Sequence, residues 1–267
     1  MTDWVDIYEG DSPLILASPH SGTYVPDTMF ARLNARGQTL ADTDWHIDRV
    51  YDDLIPGASR VRALFHRYVI DPNRDPSGGS LYPGQNTTGL VPEVDFEGKP
   101  IWQEDQAPGE DEVQERLRRF HAPYHRALDA LIARALDRFG VAILYDCHSI
   151  RSRLPFLFEG QLPDLNLGTF SGKSCDSAIQ ALAEQALVGQ TDFTSVVNGR
   201  FKGGWTTRHY GQPAKNVHAV QMEIAQRAYL IHETRPFDLS LSKTARLRAH
   251  LRPLLEGLEA FGLGQKG

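Results

Sequence analysis

The sequence predicts an α/β fold: a single-domain, three-layer sandwich on a mostly parallel mixed sheet, spanning residues 1–267. Three observations carry this expectation. Apolar runs of strand length alternate with amphipathic stretches of helix length, the order that produces crossover connections and a parallel sheet. Two of those runs, LILASPH (14–20) and VAILYDCHS (141–149), are apolar at the front and polar at the end, and a third, VHAVQMEIA (217–225), alternates its side chains. A chain of 267 residues, 41% hydrophobic, is also long enough to bury a sizeable core.

The elements follow in order. Leu14 to His20 reads as a buried strand running into a loop. An amphipathic helix begins around Asp44 and continues through YDDLI (51–55). RYVIDPNRDP (67–76) reads as a strand stopped by a proline-bounded loop, since proline cannot donate to a ladder. Residues 77–108 are rich in Gly, Pro, Asn and Asp; a loop of that length is functional or disordered. From Asp111 to Phe139 the pattern is helical, with Leu128, Leu131, Ile132 and Ala135 three and four apart and Gly140 as the stop. Pro123 is expected to break it, with a second helix starting there. Val141 to Ser149 is the clearest strand, followed by a loop over 151–172 and a helix over 175–189. Val217 to Ala225 is a further strand and Ser240 to Phe261 a final amphipathic helix. There is no internal repeat, linker or low-complexity tract.

The net charge is -6 and the pI about 5.9, a balance that disfavours nucleic acid, which needs a basic footprint. It is compatible with a small anionic substrate held in a local arginine pocket. The two cysteines, Cys147 and Cys175, form no CxxC pair and are expected to be reduced, as in a cytoplasmic protein. The first residues, MTDWVDIYEGDSP, are acidic and lack the apolar stretch of a signal peptide, and no apolar run reaches the roughly 20 residues of a membrane span. No nucleic-acid or membrane partner is therefore expected, a small acidic molecule is left open as partner, and the sequence does not specify an oligomeric state.

In α/β sheets, sites lie beyond the C-terminal ends of the strands. Three of the expected strands end in His20, in Asn73 and Arg74, and in His148, while a fourth carries Glu223 inside it. Catalytic zinc takes three protein ligands and leaves a position for water. His20 and His148 suit that role, with Asp42, Asp44 or Asp48 of ADTDWHID as the third ligand. Such a metal polarises a carbonyl and brings the pKa of its water to about 7. A general base is then needed, and Glu223 on a core strand is the candidate, since a buried glutamate is costly without a task or a partner.

Arg74 offers the planar fork that suits a carboxylate, or it pairs with Asp71 or Asp75. The glycine-rich run GRFKGGWTTRHYGQP (199–213) carries Lys202, Arg208 and His209, and reads as a flexible lid bringing donors to an anion or as an ordinary surface loop. HAPYH spaces His121 and His125 as a helical zinc pair would be spaced, but it lacks the glutamate of HExxH and contains Pro123, so packing or capping is expected. Strand alternation puts Cys147 and His148 on opposite faces, which leaves Cys147 as a core residue and Asp146 on the face of His148, able to orient it.

Taken together and in order, SPHSG, DTDWHID, RYVIDPNRDP, DCHS and GGWTTRHYG…QMEIA resemble the N-formylglutamate amidohydrolases, over roughly residues 14–230. The resemblance implies a fold similar to that of zinc carboxypeptidases and aspartoacylases, and hydrolysis of N-formyl-L-glutamate to formate and L-glutamate in histidine degradation. It implies one zinc ion on His20, His148 and an aspartate, for which Asp44 aligns best. It implies Glu223 as base, Arg67 as a cation near the scissile carbonyl, and Asn73 and Arg74 on a substrate carboxylate. Arg208 and His209 are added as substrate-binding candidates. One departure stands out: carboxypeptidases draw a ligand from His-x-x-Glu, where this chain has Thr23. Two rival functions are a deacylase for another N-acyl acidic amino acid and a non-catalytic binder of such a molecule. A binder would need the arginines but not the histidines together with Glu223.

Overall fold

The structure, a computed structural model, describes residues 4–79, 84, 86–188 and 192–264. Its strands are β1 (Val5–Tyr8), β2 (Leu14–Ser18), β3 (Ser59–Ala63), β4 (Ala142–Ile150), β5 (Leu165–Gly168), β6 (Ser195–Val197) and β7 (Val217–Ala225). They form one sheet in the order β1-β3-β2-β4-β7-β5-β6. β3, β2, β4 and β7 run parallel, as do β5 and β6; β1 is antiparallel to β3 and β5 to β7. The expected α/β architecture with a mostly parallel mixed sheet is the one observed. β4 and β7 are buried along all nine of their residues, as strands covered on both faces must be.

The helices are α1 (Asp27–Phe30), α2 (Ile47–Tyr51), α3 (Glu110–Arg116), α4 (Ala122–Phe139), α5 (Ser177–Val188), α6 (Trp205–Tyr210) and α7 (Leu241–Gly264). One face of the sheet meets α2 and α7: the Tyr51 hydroxyl lies 3.3 Å from that of Tyr145, and Gly262 of α7 sits against Ile143. The other face carries Asp146, His148, Gln221 and Glu223. α6 reaches it where the Gly204 N–H donates to Gln221 at 2.6 Å, and α4 joins α6 through His125 and the Tyr210 hydroxyl, 3.0 Å apart. Among the described residues no helix is long and apolar enough to cross a membrane.

Several expected elements are corrected. The helix placed from Asp44 is only Ile47–Tyr51, because His46 before it has φ 59° and Asp52 after it is extended. Residues 67–76 form no strand. Tyr68, Val69 and Ile70 are apolar because they are buried, not because they pair; the Asn73 N–H donates to Asp71 Oδ1 at 2.8 Å and turns the chain. Pro123 does not break the helix: the winding widens to a π-type segment over Leu117–His121, and Pro123 falls directly after it in the first turn of α4. Gly140 closes α4 at φ 74°, as expected. The short strands β1, β3, β5 and β6 and the helix α6 lie in stretches the sequence pattern left unassigned or read as loop. The expected helix over 175–189 runs Ser177–Val188, and its last expected residue lies outside the described ones.

Candidate active site

Three chain segments converge beyond the C-terminal edge of the parallel strands. His20 follows β2 by two residues, and His148 lies near the end of the neighbouring β4. His148 is in register with Glu223 on β7, and Asp146 with Gln221, so all four side chains share one face. Asp44 arrives on the loop before α2, its N–H donating to the His20 carbonyl at 3.0 Å. Its Oδ2 accepts from the Ser149 N–H at 3.0 Å and its Oδ1 from Arg67 Nη2 at 3.1 Å.

The Nδ1 atoms of His20 and His148 are 3.1 Å apart, and Asp44 Oδ2 lies 3.8 and 3.3 Å from them. All three residues are buried, and they are the one group among the described residues placed to share a metal ion. Ligands ~2.0–2.2 Å from a tetrahedral centre stand ~3.3–3.6 Å apart, so the spacing fits such an ion. The far ring nitrogens face carboxylates: His20 Nε2 is 2.7 Å from Asp71 Oδ1 and His148 Nε2 is 3.0 Å from Asp146 Oδ2. A carboxylate behind a ligating imidazole fixes its tautomer and orientation. Asp146 is the orienting residue the strand alternation pointed to. Asp71 is one that sequence reasoning used only as a partner for Arg74, although it stands two residues before Asn73.

The electrostatics fit a cation as well. Asp44, Asp71, Asp146 and Glu223 are buried around the two rings, with Arg67 among them and Arg74 Nη1 3.6 Å from Asp71 Oδ2, the pairing the sequence offered for Arg74. Burial works against a proton on His148, yet Asp146 and Asp44 overcome it and raise its pKa well above the ordinary imidazole value. His20, buried and beside Arg67, is pushed down to about 4 despite Asp71. Burial pushes the Glu223 carboxyl up to about 8, with His148 and Arg67 opposing. His148 and Glu223 are thus held towards their protonated forms and His20 towards its neutral form, and the four buried carboxylates call for more positive charge than Arg67 and Arg74 supply. A divalent cation on His20, Asp44 and His148 would supply that charge.

The cavity over this group is lined by His20, His148 and Glu223, by Arg67, Asn73 and Arg74, and by Thr88, Phe96 and Arg200 among others. Arg74 is aimed into it by the Thr88 carbonyl at 2.9 Å, the Thr88 hydroxyl at 3.1 Å and the Asn73 carbonyl at 3.0 Å. Helices α3 and α4 clamp the turn that carries these residues. Arg116 donates to the Val69 carbonyl at 2.8 Å, while His125 Nε2 lies 2.8 Å from the Pro72 carbonyl and His121 Nε2 3.1 Å from that of Arg74. The two histidines of HAPYH therefore position the turn.

The other acidic candidates are engaged elsewhere. Asp42 accepts from the Tyr68 hydroxyl, the Phe96 N–H and Arg151, and Asp48 pairs with Arg62. Thr23 is exposed, and the acidic position it leaves open is met by the Asp44 loop. Arg208 and His209 are not brought into the cavity. Arg208 donates to the Gly203 carbonyl at 3.0 Å and lies over the Phe170 ring, and His209 is exposed and stacked on Trp205. Cys147 is buried in the core, its thiol pushed up by burial.

The glycine-rich run is a cradle, not a lid. Asn73 Oδ1 accepts from the Thr206 N–H at 2.9 Å, capping α6, while its Nδ2 lies 3.0 Å from His148 Nε2. A Cβ on Gly204 would stand 2.4 Å from Asn73 Nδ2 and 2.6 Å from its Oδ1. Gly204→Ala is therefore expected to displace Asn73 and lower kcat/KM by ~10–100-fold, as an ångström-scale misplacement beside the reacting groups costs. If the collision is the cause, Asn73→Ala with Gly204→Ala should be no worse than Asn73→Ala alone; additive losses would show that the glycine serves another purpose.

The N-formylglutamate amidohydrolase family model matches residues 12–230. The chain is 44% identical over 263 residues to an N-formylglutamate deformylase of Pseudomonas aeruginosa, covering 98% of each, and 43% identical to that of Pseudomonas putida, covering 97% and 96%. Among solved structures, N-formylglutamate amidohydrolase from Ralstonia eutropha superposes with TM-score 0.79 at 28% identity over 97% of both chains. A gene product of Agrobacterium tumefaciens shares the fold at TM-score 0.68 and 18% identity, over 97% and 96% of the two chains.

Proposed function

The chain belongs to the N-formylglutamate amidohydrolase family, and from that premise we propose that it hydrolyses N-formyl-L-glutamate to formate and L-glutamate, with zinc on His20, Asp44 and His148. The observation that supports this best is the convergence of those three ligand atoms beside Glu223 in a cavity lined by arginines. The reaction fits the step of histidine degradation that the resemblance implies.

A divalent metal there would polarise the formyl carbonyl and make a water more acidic. Glu223 takes a proton from the attacking water as the water oxygen bonds to the formyl carbon. Arg67, held at Asp44 and beside His20, faces the developing oxyanion. Burial works against the Arg67 charge, but Asp71 and Asp44 outweigh it and keep the group cationic. The carbon–nitrogen bond then breaks as Glu223 returns its proton to the leaving nitrogen, releasing formate and the amine. Arg74 has N–H groups beyond those bonded to Thr88 and Asn73, and it holds a substrate carboxylate with Asn73 beside it.

The test is a panel of N-formyl-, N-acetyl- and N-succinyl-glutamate and N-formyl- and N-acetyl-aspartate, run on chelator-stripped and zinc-reloaded protein. N-formylglutamate should be turned over fastest, with stripping abolishing formate release and zinc restoring it. Full turnover by stripped protein would overturn the metal assignment, and faster cleavage of an acetyl or succinyl substrate would overturn the acyl assignment.

A further inference from the structure

We infer that Arg200 reads the second carboxylate of the substrate and so selects dicarboxylic acyl amino acids; the inference rests on the reaction proposed above. Arg200 lies between β6 and α6, in the run from which the sequence pattern drew Arg208 and His209 instead, yet it lines the same cavity as Arg67 and Arg74. Arg67 is committed to Asp44 beside the ligand set. Arg74 and Arg200 are instead held from one short segment. Thr88 holds Arg74, as described, and the Asn86 carbonyl accepts from Arg200 Nη2 at 3.3 Å. The Leu157 carbonyl takes Arg200 Nε at 3.1 Å, and the Asn86 side chain ties the segment to the Phe156 carbonyl at 2.8 Å. Thr87, between the two brackets, also lines the cavity. Arg74 Nη1 also lies 3.6 Å from Asp71 Oδ2, and these carbonyl and hydroxyl oxygens aim the two guanidiniums at the cavity they line.

The two arginines differ in depth. Arg74 is joined to Asn73, whose amide touches buried His148, so it stands near the reacting centre. Arg200 is held by Asn86 and Leu157 and neighbours Phe201, all more exposed than His20, His148 and Glu223, and so lies towards the mouth. In N-formylglutamate the α-carboxylate is one carbon from the scissile nitrogen and the side-chain carboxylate three carbons away. Arg74 therefore matches the α-carboxylate and Arg200 the side-chain carboxylate, with the methylenes against Leu157 and Phe201. A substrate with a neutral side chain keeps the first contact and loses the second.

The experiment compares kcat/KM for N-formyl-L-glutamate and N-formyl-L-glutamine in the wild type, R200M, R200K and R74M, with thermal unfolding as the fold check. The wild type should prefer the glutamate. R200M should lose ~10–100-fold on the glutamate, mainly through KM, and change less than about threefold on the glutamine, as loss of a half-exposed charge contact implies. R200K should fall between them, since an ammonium cannot reproduce the fork, and it carries the comparison should R200M not fold. R74M should weaken both substrates, because both keep the α-carboxylate. An equal fall on both substrates in R200M, or none on either, would overturn the inference. A wild type that cleaves both equally overturns it while leaving the proposed reaction standing; one that cleaves neither ends both.

Discussion

Glu223→Gln is expected to lower kcat by ~10²–10⁴ while zinc content and KM stay near the parent values. The side chain lies in register with His148 on the neighbouring strand, and its Oε2 is 3.3 Å from Gln221 Nε2, so the amide fits the same space. What the exchange removes is the ability to take and return a proton. A base works only when deprotonated, so the acidic limb of the kcat/KM profile should rise with pH in the wild type and vanish in the variant. Stability offers a second readout. Burial, with Asp44 on the same side, raises the carboxyl from the ordinary 4.5 to about 8, so in stripped protein the proton is held more tightly folded than unfolded. The stabilisation this gives is complete below about 4.5 and is lost as pH rises through about 8. Stripped Glu223→Gln, which cannot ionise, should therefore gain in Tm relative to stripped wild type as pH rises from 4.5 to 8. A loss of zinc in this variant would make Glu223 a ligand, and near-normal turnover would place the base elsewhere, with Asp146 the next to test.

His148→Ala should lose zinc and activity together, by on the order of 10³-fold or more and beyond the ~10–100-fold cost of removing an outer partner. His148 contributes one of two imidazoles to the ligand set, and it is also the contact of Asp146 Oδ2 at 3.0 Å and of Asn73 Nδ2 at 3.0 Å. The alanine leaves Asp146 as a buried carboxylate without a counter-charge, so the stripped variant should also unfold at lower temperature than stripped wild type. Metal content measured beside turnover decides the point. A His148→Ala protein that retains one zinc and near-parent turnover would remove His148 from the ligand set.

Much of this site was legible before any coordinates. His20 and His148 sit at the ends of apolar runs, and Glu223 is a carboxylate within one; alternation alone placed Asp146 with His148 and set Cys147 apart. The same reasoning misread 67–76 as a strand, because burial and strand pairing leave the same apolar signature in Tyr68, Val69 and Ile70. It left the run around Gly204 as a flexible lid or an ordinary surface loop, since a glycine kept for close approach to Asn73 looks the same in sequence as one kept for flexibility. Arg208 and His209 are polar residues in a suggestive loop, but α6 directs them away from the cavity.

The sequence by itself determined the alternation of strands and helices, the main buried strands, and the two histidines and the glutamate at one edge of the sheet. Those follow from local stereochemistry: side chains alternate along a strand with period two, and apolar runs must be covered. Only the tertiary structure decided that Asp44, rather than Asp42 or Asp48, meets the imidazoles, that Asp71 stands behind His20, and that Arg200 shares a cavity with Arg74. These contacts join groups far apart in the chain, 128 residues in the case of His20 and His148. Which loop carboxylate or guanidinium arrives at such a point depends on how turns and helices pack, and no local pattern encodes that.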